Sequence, residues 1–408
     1  MRRIVALILI FTISLSVLTG CKDTDDNKLP ADFGSYGADF ARSLAAEYPY
    51  RKAYSISENL AGQMIKAEFE NLGYEVQTQP FTGSDGSTSN NYIAVHKGAG
   101  FYSKNEDTGE YIPTERYIIV GAHYDSKFHR EELDAYNEAN GTSYKYDGIN
   151  DNASGIGALL TCAKEIHNYT NMGFNVIFVA FGASGDDFAG SRAFFNALTA
   201  DVRSKTEVMF CIDSIYAGDK VYASSGMSSL IPGRKYAMRR KLYQSYDVAY
   251  ENSLYSLNGF NLLYNESRIM ADLNEDGHED VYSEITLNKS DYVPFDDARI
   301  PIVYFDSYDY NFKTVEEMHD TKNLDLQDFG GMIRGTFLDS ADTLDPILIT
   351  EENDILQSRI NNIAFVMLGV AMKGSDTALT YTEYMEAMES ERVAATAVET
   401  VESTAVPT

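Results

Sequence analysis

A chain of 408 residues with 61 acidic and only 33 basic side chains carries a formal charge of −28. That balance argues against partnership with nucleic acid or with an anionic lipid surface, both of which call for basic patches. The length suffices for one large α/β domain with insertions, and no internal repeat is visible.

Arg2 and Arg3 precede an uncharged, largely apolar run from Ile4 to Leu18. This is the layout of a secretory signal, too short for a comfortable transmembrane helix. The run ends in Leu18-Thr19-Gly20-Cys21, which resembles the bacterial lipobox and implies removal of residues 1–20 and lipidation of Cys21. Several acyl chains on one residue anchor stably where a single chain would not. Loss of the two arginines takes the remainder to about −30. The expectation is a domain at the extracytoplasmic face of a bacterial membrane, touching lipid through its anchor alone, with residues 21–33 as a polar tether.

Residues 34–375 read as the folded domain. Ser55-Ile56-Ser57-Glu58 has the pattern of a capping box, and Leu60, Met64, Ala67 and Leu72 follow at roughly helical spacing until Gly73. Tyr74 to Gln77 alternates like a strand, with Asn91 to Val95 as its expected partner. Tyr117–Val120, Val176–Phe181, Val208–Ile212 and Pro301–Phe305 are short apolar runs suited to buried strands. Ala153–Ile166 carries Ile156, Leu159, Leu160 and Ala163 on one helical stripe. Strands alternating with helices predict a three-layer α/β/α sandwich around a mostly parallel, mixed sheet. Cys162 and Cys211 sit among apolar residues and read as buried free thiols. Residues 376–408 lack a clear period and are expected to be disordered, apart from a short helix over Tyr381–Met388.

In such sheets chemistry gathers beyond the carboxyl ends of strands. There the sequence offers Gly121-Ala122-His123-Tyr124-Asp125-Ser126, then Asn150-Asp151-Asn152-Ala153-Ser154-Gly155, then Asp213. His319-Asp320-Thr321 follows far downstream. Two histidines and two carboxylates form an N/O donor set suited to zinc. Each alone is ordinary, since a lone histidine is more often structural and Asp151 could cap a helix. Four together at strand ends are not. Asp272, Asn274 and Asp276, followed by Gly277, resemble the start of a calcium loop, although Ser283 stands where the closing glutamate belongs. The polar insertion from Lys127 to Tyr146, with His129, is expected at the mouth of the cleft, and His96 and His167 in structural or surface roles.

From about Ser55 to Asp328 the sequence resembles the zinc exopeptidases of peptidase family M28. The histidine and Asn-Asp-Asn segments carry the likeness; Gly190-Ser191, Ser290-Asp291, Pro294-Phe295 and Ile300-Pro301 support it more weakly. The resemblance implies that His123 and Asp213 hold one zinc, that Asp151 bridges to a second zinc also bound by His319, and that Asp125 orients the His123 ring. It implies hydrolysis of peptides from one end, as aminopeptidases do, although some relatives are carboxypeptidases or glutaminyl cyclases. The family pattern Phe-Gly-Ala-Glu-Glu supplies a general base and a second-zinc ligand. This chain has Phe181-Gly182-Ala183-Ser184-Gly185-Asp186-Asp187. Two readings are open. Either Asp186 and Asp187 swing in and replace the glutamates, keeping a one- or two-zinc peptidase, or the chain is a catalytically degenerate surface lipoprotein that binds peptide or a partner. Ser184 is not in a Gly-x-Ser-x-Gly elbow, so a serine hydrolase is not indicated.

Overall fold

The computed structural model describes residues 32–169, 171–254, 262–263, 268–273, 276–309, 317–351 and 353–404. Cys21, the signal and nearly all of the tether fall outside them. Helix α1 (Tyr36–Glu47) is followed by α2 (Ile56–Asn71). Ser55 caps α2 by accepting from the Glu58 amide at 3.0 Å, and Gly73 at φ 92° lets the chain leave it. The Glu58 carboxylate departs from the capping-box pattern. It accepts from the amides of Tyr54 (2.5 Å) and Ala183 (2.8 Å) and from Ser89 Oγ (2.8 Å), joining the helix to a loop 125 residues away.

Strand β1 (Gln77–Thr82) begins where the sequence pattern places the end of a strand, and pairs antiparallel with β2 (Thr88–His96). A hairpin of β3 (Phe101–Lys104) and β4 (Tyr111–Thr114) leads to β5 (Tyr117–His123), α3 (Arg130–Asn140) and α4 (Ser154–Glu165). Then come β6 (Asn175–Phe181), α5 (Ala189–Ala197), α6 (Ala200–Lys205), β7 (Thr206–Ile212), β8 (Lys220–Ser224) and α7 (Lys235–Glu251). The chain continues with β9 (Leu262–Leu263), β10 (Arg268–Ala271), β11 (Asp280–Ser283), α8 (Val293–Asp297), β12 (Ile302–Tyr308), α9 (Ala341–Leu348), α10 (Ile355–Met372) and α11 (Tyr381–Thr404).

Eight strands form one sheet in the order β1-β2-β6-β5-β7-β12-β8-β9, parallel through its centre from β6 to β12. Alternate side chains feed two cores. Val120, Phe178, Phe210 and Phe305 meet α1, α2, α4, α7 and α10 on one face. Ile119, Val179, Met209 and Tyr304 meet α5, α6 and α8 on the other. The three-layer expectation therefore holds, with unequal layers. Helix α10 has the length and apolarity of a membrane span but is mostly buried against its neighbours, as a core helix. Cys162 and Cys211 are free and buried.

One expectation is corrected. Residues 381–404 form one helix instead of a disordered tail. Tyr384 stacks on Tyr102 with ring centroids 4.2 Å apart, Leu379 bridges Tyr102, and Lys104 pairs with Glu391 at 2.6 Å. The β3–β4 hairpin thus supplies the contacts that local periodicity lacks. Helix α3 lies inside the polar insertion, where Leu133 and Tyr146 pack with Phe337 in a small, mostly aromatic core.

Arg51 is fully buried and donates to four backbone carbonyls: Tyr48 (3.0 Å), Tyr124 (2.9 Å), Asp147 (2.7 Å) and Gly148 (2.9 Å). It joins the segment after β5 to the loop before α4. Arg51→Met would leave these acceptors unsatisfied, and a loss of at least about 3 kcal/mol is expected on summing such groups. Urea unfolding of wild type and variant measures it.

Candidate metal centre

Parallel register decides where the first ligands meet. Gly121 of β5 lies beside Cys211 of β7, so His123 and Asp213, two residues further along each strand, emerge together. Asp151 arrives from the loop before α4, which is pinned from three sides. Asp339 accepts from the amides of Asn150 (2.8 Å) and Asp151 (3.0 Å). Asn150 Oδ1 accepts from the amides of Tyr216 and Ala217 (3.0 and 2.9 Å), and Asn152 Nδ2 donates to the Ile212 carbonyl at 2.9 Å.

His123 Nε2 lies 3.3 Å from Asp151 Oδ1 and 3.6 Å from Asp213 Oδ1. One ligand atom from each of the three can be chosen so that all lie within 4.8 Å of one another. An imidazole and two carboxylates at this spacing fit zinc with a position left for water. Asp125 stands behind the ring, its Oδ1 3.4 Å from His123 Nδ1, while the Asp125 carbonyl lies 3.1 Å from the same nitrogen. Over the centre is a cleft of about 450 Å³, lined among others by Lys127, Phe128, Ser184, Lys289 and Arg334.

Residues 107–330, more than half of the chain, match the profile of peptidase family M28. The chain belongs to that family. The alkaline phosphatase isozyme conversion protein of Escherichia coli is 25 % identical over 225 residues, which cover 52 % of this chain and 59 % of that protein. The match thus spans less than two thirds of its relative. Among solved structures, a zinc aminopeptidase from Bacillus subtilis shares the fold at 12 % identity and TM-score 0.51, covering 87 % of this chain and 99 % of that one. A Zn-dependent exopeptidase from Parabacteroides distasonis does so at 16 % and 0.52, covering 84 % and 98 %. A glutaminyl cyclase from an Acidobacteriales bacterium does so at 15 % and 0.53, covering 85 % and 96 %.

The altered loop of this M28 chain is the next question. Asp125 accepts from the amides of Ser184 (2.9 Å) and Gly185 (2.9 Å), so the backbone of the two replaced positions faces the site. Asp186 and Asp187 do not replace the glutamates. Asp186 accepts from Tyr54 OH (2.6 Å) and from the Ser84 amide and hydroxyl (3.1 and 3.0 Å), bonds that hold its carboxyl below the usual range. Asp187 is largely exposed, at φ 47°, and pairs with Arg192 at 3.1 Å. Gly190, noted in the sequence, lets the loop fold back: a Cβ there would stand 2.2 Å from the Gly182 carbonyl.

His319 is also not gathered with the others. Its Nε2 lies 2.9 Å from Asp309 Oδ2 and its Nδ1 2.6 Å from the Glu317 carbonyl. In the loop between β10 and β11, Asp272 accepts from the amides of Asp276 (3.0 Å) and Gly277 (2.8 Å), and Asp276 from His278 (2.9 Å). These carboxylates are engaged in closing the turn, and Asn274 lies outside the described residues.

Three residues of the site carry no motif that reveals their role. Arg334 Nη2 is 3.5 Å from Asp213 Oδ1 and donates to the Asp213 carbonyl at 3.3 Å. Its Nε and Nη1 donate to Ser214 Oγ (2.9 Å) and Tyr304 OH (3.1 Å). Asp291 is fully buried, with no hydrogen bond at either oxygen. Burial pushes its carboxyl up to about 7, against the pull of His123; Asp125 adds to the rise, and Ser184 favours the charged form. Glu58 is raised to about 8 by burial and by Asp125.

Burial would lower His123, but its three carboxylates outweigh it and hold the ring charged; burial would raise Asp213, but Arg334 and His123 hold it low. Glu58, Asp291 and Asp147 (about 6, raised by burial) keep protons in the folded state that the unfolded chain releases near pH 4. Their stability contribution is full in acid and is lost as pH rises through 6 to 8, and that of His123 fades in the same direction. Asp213 contributes evenly across this window. The melting temperature of chelator-treated protein is expected to fall by roughly several degrees between pH 5 and pH 8. Zinc should reverse much of that fall, and differential scanning calorimetry checks it.

Proposed function

We propose that this M28 chain is a metal-dependent exopeptidase of aminopeptidase type, cleaving peptides outside the bacterial membrane to which a lipid on Cys21 tethers it. The observation that carries the reading is the His123–Asp151–Asp213 cluster on the floor of an open cleft. The anchor is supported by the N-terminal motif, and the aminopeptidase type by the fold shared with a zinc aminopeptidase. Zinc bound here would polarise the scissile carbonyl and acidify water. Asp125 keeps the His123 ring turned so that Nε2 faces the other two ligands.

Proton transfer falls to Ser184 and Asp291, which occupy and back the position of the missing base. The attacking water gives its proton to Ser184 Oγ as the Ser184 hydroxyl, turned toward Asp291 in the loaded site, passes its own to the carboxylate that Asp291 becomes above about pH 7. The reverse movement delivers a proton to the leaving amine. Replacing general-base help typically costs about 10² to 10⁴ in rate. Ser184→Ala and Asp291→Asn are therefore expected to lower kcat on aminoacyl substrates by roughly that much with zinc content unchanged, whereas Asp186→Asn with Asp187→Asn should leave turnover within about threefold.

A second reading rests on Ser184 and Gly185 themselves: a chain that has lost the glutamate pair and binds peptide without cutting it. The deciding assay gives the zinc-loaded protein aminoacyl substrates, intact peptides and peptides beginning with glutamine. Chelator-sensitive release of N-terminal residues establishes the peptidase. Ring closure of glutamine without hydrolysis would replace it with a cyclase, and peptide binding with no product would leave the binding reading.

A further inference from the structure

Within the metal-hydrolase reading, the family resemblance implies a second zinc, and this chain does not present its ligands. The position of the ligand glutamate is Gly185, whose amide is bonded to Asp125. The ring of His319 is occupied at both nitrogens, by Asp309 and by the Glu317 carbonyl. Among the described residues the only three-member donor group is His123, Asp151 and Asp213.

A different cation stands beside that group. Arg334 lines the same cleft as His123 and Asp151, and its guanidinium contacts both the carboxylate and the carbonyl of Asp213. We propose that the centre binds a single zinc and that the Arg334 guanidinium supplies the fixed positive charge that a second zinc would bring. Three carboxylates, Asp125, Asp151 and Asp213, converge on one imidazole, and one divalent ion leaves part of their charge uncompensated. A guanidinium cannot lose its proton in a protein, and it meets carboxylates through several N–H groups at once. It would also repel a second zinc brought near the same carboxylates.

The supporting structure agrees with this role. Asp320, beside His319, is buried and accepts from the amides of Ile333 (2.6 Å) and Arg334 (2.7 Å). Thr321 Oγ1 donates to Asp219 at 2.5 Å. The His319-Asp320-Thr321 segment thus retains a function although its histidine is turned away: it fixes the backbone from which Arg334 reaches Asp213. Tyr304 and Ser214 then hold the guanidinium from the strand side.

Zinc binding to the full chain tests the proposal without reference to activity. Titration with excess zinc, read by metal analysis after desalting, is expected to stop at one ion per chain, and cobalt should show a single break in its visible absorption. Removing the charge in Arg334→Met should tighten the first zinc by about tenfold or more, because its neighbouring cation is gone and Asp213 is freed. Arg334→Lys should keep the wild-type affinity within about threefold, since the charge remains. A merely structural arginine would give weaker zinc binding in both variants, and that result overturns the proposal. So do two zinc ions per wild-type chain, whatever happens to the variants. One zinc with the expected response but no turnover would remove the peptidase reading and keep this one; no zinc at all would remove both.

Discussion

The Asp125 carboxylate ties together parts of the site that come from different strands. One side faces the His123 ring at the end of β5; both oxygens receive amides from the loop after β6. A carboxylate buried this deeply needs donors, and the Ser184 and Gly185 amides supply them. That choice governs the loop. With the backbone of 184 and 185 committed inward, the chain turns through left-handed φ at Ala183, Asp187 and Phe188, and Asp186 is carried out to Tyr54 and Ser84. Glu58 reinforces the arrangement by holding the Ala183 amide. The departure from the glutamate pattern is therefore built into the hydrogen bonding of the loop as well as its sequence.

Much of the centre was legible because parallel sheets convert strand ends into neighbours. His123, Asp151 and Asp213 each follow an apolar run or precede a helix, and the register of β5 with β7 does the rest. The sequence left the loop after β6 with two readings, and it could not choose between them for a definable reason. The residues that capture Asp186 lie 132 and 102 positions away, and no local pattern announces them. His319 failed similarly, its ring being taken by Asp309 across an isolated bridge. Arg51 and Arg334 were missed outright. Arginines are usually surface residues, and only the fold shows that these two are enclosed by carbonyls or carboxylates. Asp291 was seen only as part of a weak Ser-Asp match, and its burial behind Ser184 could not be read.

The electrostatics of the chain and of the site differ in kind. The chain as a whole carries a formal charge of −28. Around the cleft, acids are sequestered: Asp291 and Asp339 have lost their water, and burial holds their protons on. Cations at the rim, Lys127 and Lys289, and Arg334 at the floor give the cleft a local balance unlike that of the whole. Burial of this many carboxyls in one place is costly without a counter-charge, so the same residues that strain the metal-free fold define where a cation is welcome.

Arg334 beside Asp213 changes how the centre answers scarcity. A site assembled from two captured ions fills as the square of the free metal concentration when both are scarce. A site whose second charge is part of the polypeptide fills only as the first power, and its guanidinium cannot be diluted away or stolen by a chelator. Wherever free zinc is set by competing binders, that difference in mass action decides what fraction of the chains is loaded at any moment.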